Sequence, residues 1–201
     1  MIGAMRCPRG AARLDFAGVT MSHTADGRPR ARALGIAFPG EPGPLNAITD
    51  VAGVEVGVTT LIDGDGPLVV GKGPVRTGVT AILPRGRAGV GEPCAAGWSS
   101  LNGNGEMTGT TWIDEAGSFN LPVLLSNTHA VGACHTGVIR WVNRVNPLLA
   151  RQWLLPVCAE TWDGYLNDIN GGHVGPEHVK RRSTPRPRGR SPKARSAAAR
   201  G

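Results

Sequence analysis

The chain has 201 residues, 40% hydrophobic and only 4% aromatic, enough for one core built mainly from Val, Leu, Ile and Ala. Its formal charge of +7 would suggest a nucleic-acid partner, but nine of the 22 Lys and Arg lie from Lys180 onward and no Asp or Glu follows Glu177. Removing those nine leaves 13 Lys and Arg against 15 Asp and Glu, a formal −2, so charge gives no case for nucleic-acid binding by residues 1–179.

In chain order, residues 1–29 are rich in Gly, Arg and Pro without periodicity and read as a disordered leader, with Met21 as an alternative start. No apolar stretch there resembles a secretory h-region, so a cytoplasmic protein is expected. Ile48, Val51, Val54, Val56 and Val58 form a β-branched series broken at Asp50 and Gly53, which predicts a turn and then a strand over 54–61. DGDGP (63–67) is a turn, LVV a short strand, and VRTGVTAILPRG (75–86) a further strand ending at Pro84. GEPCAAGWSSLNG (91–103) is expected to start as loop and continue as a short helix.

NLPVLLSNT (120–128) reads as a buried strand. Over 130–145, Val131, Cys134, Val138, Ile139, Trp141, Val142 and Val145 fall near helical spacing, with Asn127 and Thr128 as capping candidates. WLLPVCAET (153–161) predicts another buried strand, and DGYLNDINGG (163–172) is turn-rich. Strands that are apolar on both faces beside one amphipathic helix fit an α/β or α+β domain with a covered sheet. KRRSTPRPRGRSPKARSAAARG, from 180 to the end, has no aliphatic residue larger than alanine and reads as a disordered basic tail.

Candidate chemistry centres on LNGNGEMTG (101–109). Its glycines let backbone approach a ligand around Glu106, a carboxylate suited to a substrate ammonium group; the plain alternative is a solvated turn glutamate. His129, between a strand end and a helix start, sits where covered sheets open onto ligand crevices, or else is a capping or solvated histidine. His129 and His135 are six apart, off the i, i+4 spacing of a helical zinc pair, and the four cysteines show no C-x-x-C, so no metal or disulfide framework is expected. No G-x-S-x-G elbow or P-loop occurs, and GKGPVRTG (71–78) matches a phosphate loop in composition only. Trp112, Trp141, Trp153 and Trp162 read as core.

Five segments in order carry a resemblance: RARALGIAFPGEPGPLNAITDVAGVEVG (30–57), VRTGVTAILPRG (75–86), LNGNGEMTGTTWIDEAG (101–117), LPVLLSNTHAVG (121–132) and LPVCAETWDGYLNDINGGHV (155–174). Over about residues 30–179 the chain resembles the α-chain region of the DmpA-type L-aminopeptidase/D-esterase and β-aminopeptidase family. The resemblance implies a four-layer αββα fold related to N-terminal-nucleophile hydrolases. It implies a precursor that cleaves itself before a serine, which then serves as nucleophile and base in acyl transfer from peptides, amides or esters. Carried over to this sequence, Glu106 holds the substrate's free amino group, His129 lines the pocket, and Asn104 and Trp112 form its wall or support it. No cofactor and no metal are implied; a homo-oligomer is implied for the complete enzyme.

Past residue 179 the family pattern of a Gly/Asn-rich segment leading to the cleavage site gives way to the Arg/Pro tail. A frameshifted or truncated reading over 180–201 is therefore expected, leaving an incomplete peptidase domain over 30–179 that lacks the serine and is inactive alone. Two alternatives are a nucleic-acid binder acting through its tail, non-specifically and salt-dependently, and a non-catalytic subunit paired with a separately encoded serine-bearing chain.

Overall fold

The computed structural model describes residues 22–24 and 27–180. Of the leader expected over 1–29, residues 1–21, 25 and 26 lie outside the described residues, while His23 and Pro29 form an antiparallel bridge; of the tail expected over 180–201, residues 181–201 lie outside them. The chain divides into two units, one within 1–47 and one within 48–201.

In the first unit, Ala31–Leu34 form a 3-10 turn closed at Gly35, which adopts φ 77°. The Arg30 guanidinium donates to the carbonyls of Leu45 and Asn46, and Arg32 lies 5.5 Å from the Phe38 ring centroid. These arginines organise a segment that contains no buried residue in its helical turn.

The second unit is built on a four-stranded sheet in the order β1-β2-β5-β6, with β1 at Glu55–Asp63, β2 at Val75–Leu83, β5 at Val123–Asn127 and β6 at Val157–Thr161. β1, β2 and β5 pair antiparallel, while β5 and β6 run parallel. A parallel pair needs a crossover, and helix α2, Val131–Val145, supplies it. A smaller ribbon pairs β3 (Cys94–Ala95) with β4 (Ser118–Phe119), and helix α1, Thr110–Ala116, lies between them in sequence. The helix expected within 91–103 does not form; residues 96–106 stay irregular and the helix begins only at Thr110. The glycines and asparagines of that stretch favour turns over helix interiors.

Alternation along the strands sets the core. Val79, Leu124 and Cys158 share one face and pack with Val131, Cys134, Val138 and Val142 of α2. Val138 and Val142 are fully buried, as the helical spacing requires. Gly137 of α2 is where the 3-10 turn Pro176–Lys180 crosses: a Cβ there would lie 2.5 Å from Val179 Cγ2. The opposite face of the sheet carries Val58, Ile62, Ile82 and Leu125, of which Ile62 and Leu125 are 61% and 39% exposed. Helix α2 therefore covers one side of the sheet; on the other, Val157 of β6 is buried beside Gly109 at the start of α1 while Ile62 and Leu125 stay exposed.

The expected caps of α2 bond elsewhere. Its N-cap, Ala130, makes no side-chain cap bond, because the Thr128 hydroxyl donates to Glu160 and the Asn127 amide donates to Thr77 Oγ1 at 2.9 Å. Trp153 and Trp162, expected in the core, are 70% and 54% exposed, each meeting one ring edge-on: Trp112 and Tyr165 respectively. No helix among the described residues is long and apolar enough to cross a membrane.

Candidate functional site

Parallel strands expose a crevice beyond their carboxyl ends, where the chain diverges into the next connection. Here β5 ends at Asn127, followed by the 3-10 turn Thr128–Ala130 that carries His129, and β6 ends at Glu160 and Thr161. The glycine-rich loop runs along that end of β6. Met107 pairs antiparallel with Ala159, and the Thr108 N–H donates to the Cys158 carbonyl at 3.0 Å. The Thr108 hydroxyl accepts from Cys158 N–H at 2.9 Å and donates to the Pro156 carbonyl at 2.6 Å, so one side chain straps the loop's exit to the strand. At its entry, Trp98 donates its indole N–H to Asp114 of α1 at 2.8 Å.

Between those ties the loop turns on asparagine. Asn102 Oδ1 accepts the Asn104 N–H at 2.9 Å, a side-chain mimic of a backbone turn. Gly105 passes against Glu160, whose Oε1 lies 2.7 Å from where a Cβ on Gly105 would be. A methyl at 105 would require the Glu160 carboxylate to shift. Glu106 and Asn104 are exposed, and so is His129. Continuing the Met107–Ala159 register by one residue sets Glu106 across from Glu160.

The sequence-derived residues thus fall into two groups. Asn104 and Glu106 lie on the loop beside the end of β6, and His129 follows Thr128, which bonds Glu160. Trp112 sits on α1, its ring 6.1 Å from Trp153 at 69°, and no hydrogen bond or ring contact joins it to Glu106 or His129. Glu160, which sequence reasoning does not single out, lies beside this loop and accepts the Thr128 hydroxyl. Its signal was present in AETWDG, a glutamate near the end of an apolar strand, but a β-strand's end is hard to fix from sequence.

The same motif supplies buried structural polar groups. Asn167 accepts the Arg76 N–H at 3.0 Å and donates to Asp163 at 2.9 Å, and the Asp168 N–H donates to the Pro74 carbonyl at 2.9 Å. Asp168 Oδ2 also accepts from Gly71 N–H at 2.7 Å and lies 2.8 Å from His173 Nε2. Burial pushes the Asp168 carboxyl up, but hydrogen bonds from His173, Gly71 and Gly73 hold it below the usual carboxylate range. At the end of β5, Asn127 is buried and its Oδ1 has no hydrogen-bond partner among the described residues.

Two thiols lie in the core behind the site. Burial raises Cys158 to about 12, reinforced by the neighbouring Cys134 and opposed by Thr108; burial raises Cys134 to about 11, opposed by Ser126. Both are neutral thiols at physiological pH, unfit as nucleophiles. Ser126 is buried, and its hydroxyl donates to the Gly78 carbonyl at 2.8 Å. Among the described residues no three His, Cys, Asp or Glu come together as a metal site.

The architecture is that of a partial α+β sandwich of the N-terminal-nucleophile hydrolase type. It superposes on the L-aminopeptidase D-Ala-esterase/amidase from Ochrobactrum anthropi, described as a variant of that fold, with a TM-score of 0.69 and 46% identity over 76% of this chain and 43% of that one. A Burkholderia sp. β-aminopeptidase gives a TM-score of 0.66 at 45% identity, covering 75% of this chain and 41% of that one. Residues 46–198 match peptidase family S58, and the chain belongs to that family. It is 54% identical over 167 residues to the β-peptidyl aminopeptidase BapA of Sphingosinicella microcystinivorans, covering 83% of this chain and 41% of the relative. The chain therefore spans about two fifths of the length of the relatives it matches.

Proposed function

We propose that residues 30–179 form the amine-recognition portion of a self-processing aminopeptidase, whose nucleophilic serine comes from polypeptide outside the described residues. The observation that carries this reading is Glu106: an exposed carboxylate on a loop strapped by Thr108 to β6, across from Glu160. No ion pair engages either carboxylate among the described residues. Two like charges at cross-strand positions repel, and a cation between them relieves that repulsion. A substrate's free ammonium group is such a cation, and it donates charge-assisted hydrogen bonds to carboxylates.

In this reading Glu106 anchors the amino group of a peptide, amide or ester and so sets where the scissile carbonyl lies. His129 stands at the neighbouring strand end as part of the pocket rim, and the Asn104 N–H is held by Asn102 Oδ1 in the loop's turn. The serine, freed by self-cleavage, uses its own α-amine, with a pKa of about 8, to take the hydroxyl proton. The uncovered sheet face with Ile62 and Leu125 supports a fold completed by further polypeptide.

The test is to co-produce this chain with the remaining portion of the Burkholderia β-aminopeptidase and assay L-alanine p-nitroanilide, β-alanine p-nitroanilide and their N-acetyl forms. Free-amine substrates should be cleaved and acetylated ones spared. Equal cleavage of the acetylated forms overturns amine recognition, and release of p-nitroaniline by the pure chain alone overturns the placement of the serine.

A further inference from the structure

The 3-10 turn Pro176–Lys180 is held against both α2 and β1. Val179 lies in the notch that Gly137 leaves in α2, and the Thr59 hydroxyl of β1 donates to the His178 carbonyl at 3.0 Å. A further tie closes the turn on itself. The Gly175 N–H donates to His178 Nδ1 at 2.9 Å, and the His178 N–H donates back to the Gly175 carbonyl at 3.1 Å.

The first of these bonds fixes the state of the ring. A neutral imidazole has one N–H and one lone pair, whereas imidazolium is a donor at both nitrogens. Nδ1 accepts from Gly175 only as the lone-pair nitrogen, so the closed turn requires a neutral ring with its hydrogen on Nε2. A proton added at Nδ1 meets the Gly175 N–H head-on, and that bond must break. The same nitrogen has a second partner within reach: Glu177 Oε1 lies 3.6 Å away. That ion pair does not replace what is lost. The Glu177 side chain is 64% exposed, where such pairs contribute little, and it joins sequence neighbours, so it closes no turn.

We propose that His178 is a proton-operated latch on this turn: neutral, it holds Gly175; protonated, it exchanges Gly175 for Glu177 and loosens residues 175–180 from α2. One solvent proton moves to Nδ1, and no covalent bond of the chain changes. The elements against the turn carry other titratable or charged groups: Cys134, His135, Arg140 and Arg144 on α2, Arg76 on β2, and Glu55 and Asp63 on β1. Arg76 pairs with Asp65, Glu55 pairs with Arg87, and no ion pair joins His178 to any group of those elements among the described residues. His173, ahead of Gly175, is engaged by Asp168, and Lys180 closes the turn. Glu177 is thus the charge that the protonated ring meets. The latch is independent of amine recognition by Glu106.

Two measurements on this chain test it. Long-range proton–nitrogen spectra of the imidazoles at pH 7.5 should show His178 with its hydrogen on Nε2, the signal being assigned by its loss in His178→Asn. Hydrogen exchange, with each rate divided by the intrinsic rate at that pH, should show the Gly175 and His178 amides about fivefold less protected at pH 5.5 than at pH 7.5. Fivefold is about what one net hydrogen bond is worth, and histidine changes charge within this interval.

His178→Asn keeps an acceptor for Gly175 that binds no proton here, so it should remove the pH dependence while His129, His135 and His173 remain. His178→Ala should leave both amides weakly protected at both pH values. Glu177→Gln should move the change to lower pH. A hydrogen on Nδ1 at pH 7.5, no protection of Gly175 in the parent, equal protection at the two pH values, or the same pH response in His178→Asn overturns the latch. So does an equal loss of protection across β5 and β6, which marks loosening of the whole domain. An unmoved response in Glu177→Gln overturns the exchange of partners.

Discussion

The carboxylate of Asp168 lies 2.8 Å from His173 Nε2 and accepts the Gly71 amide at 2.7 Å, tying the turn before β2 to the loop after β6. Because its folded pKa is held below the ordinary value, ionised Asp168 stabilises the fold at pH above about 4, the unfolded carboxyl value. That contribution is lost as pH falls through the depressed folded value. Asp168→Asn should therefore lower the urea midpoint at pH 7 and shrink its fall between pH 4 and 2. Urea titrations at several pH values measure this, and an unaltered acid limb in the variant contradicts it.

The periodic parts of this fold could be read from sequence, and the reasons are local. Apolar alternation locates β1 and β2, and the 3.6-residue spacing of Val131, Cys134, Val138 and Val142 locates α2 to within one residue at its start. What sequence could not supply was where polar side chains spend their hydrogen bonds. Thr128 looked like a cap for α2 but reaches across to Glu160, a partner 32 residues away. Asn167 and Asp168 looked like turn residues and are buried, bonding Arg76 and Gly71 across the sheet's edge. Local chemistry favours a turn at such residues whether their partners are water or distant backbone.

Two glycines of α2 should respond in opposite directions to alanine. A Cβ at Gly137 would lie 2.5 Å from Val179 Cγ2 and 2.9 Å from the Pro176 carbonyl, so Gly137→Ala must push the 3-10 turn off the helix. The expected loss is about 1–3 kcal/mol, the usual cost of overpacking. At Gly132 nothing lies within 4 Å, and alanine there removes only unfolded-state freedom. Gly132→Ala should gain about 0.4–1 kcal/mol. Denaturation of the pair decides it: a shift of the same sign in both would mean the Pro176–Lys180 turn does not pack as described.

The thiols give a chemical check on the core. Cys134 and Cys158 are each 1% exposed with pKa values raised to about 11 and about 12, so neither offers thiolate or access at pH 8. Cys94, on β3, is partly exposed. Iodoacetamide at pH 8 followed by peptide mass spectrometry should find Cys94 alkylated and Cys134 and Cys158 unmodified until denaturant is added. Early labelling of Cys158 would mean that β6 is not covered by α2.

Leu124 and Leu125 are consecutive on β5 and point to opposite faces, which makes them a direct measure of what each face is worth. Leu124 is 1% exposed beneath α2, whereas Leu125 is 39% exposed on the uncovered side. Leu124→Ala should cost about 2–5 kcal/mol, the transfer and cavity terms of a closed core. Leu125→Ser should stay within about 0.5 kcal/mol, as for other surface changes, and raise solubility by breaking the apolar patch with Ile62 and Val58. Urea unfolding of both variants in this chain measures the contrast. Comparable losses would mean that the second face is covered even here, so that the sheet is not half of a sandwich but the centre of a closed one.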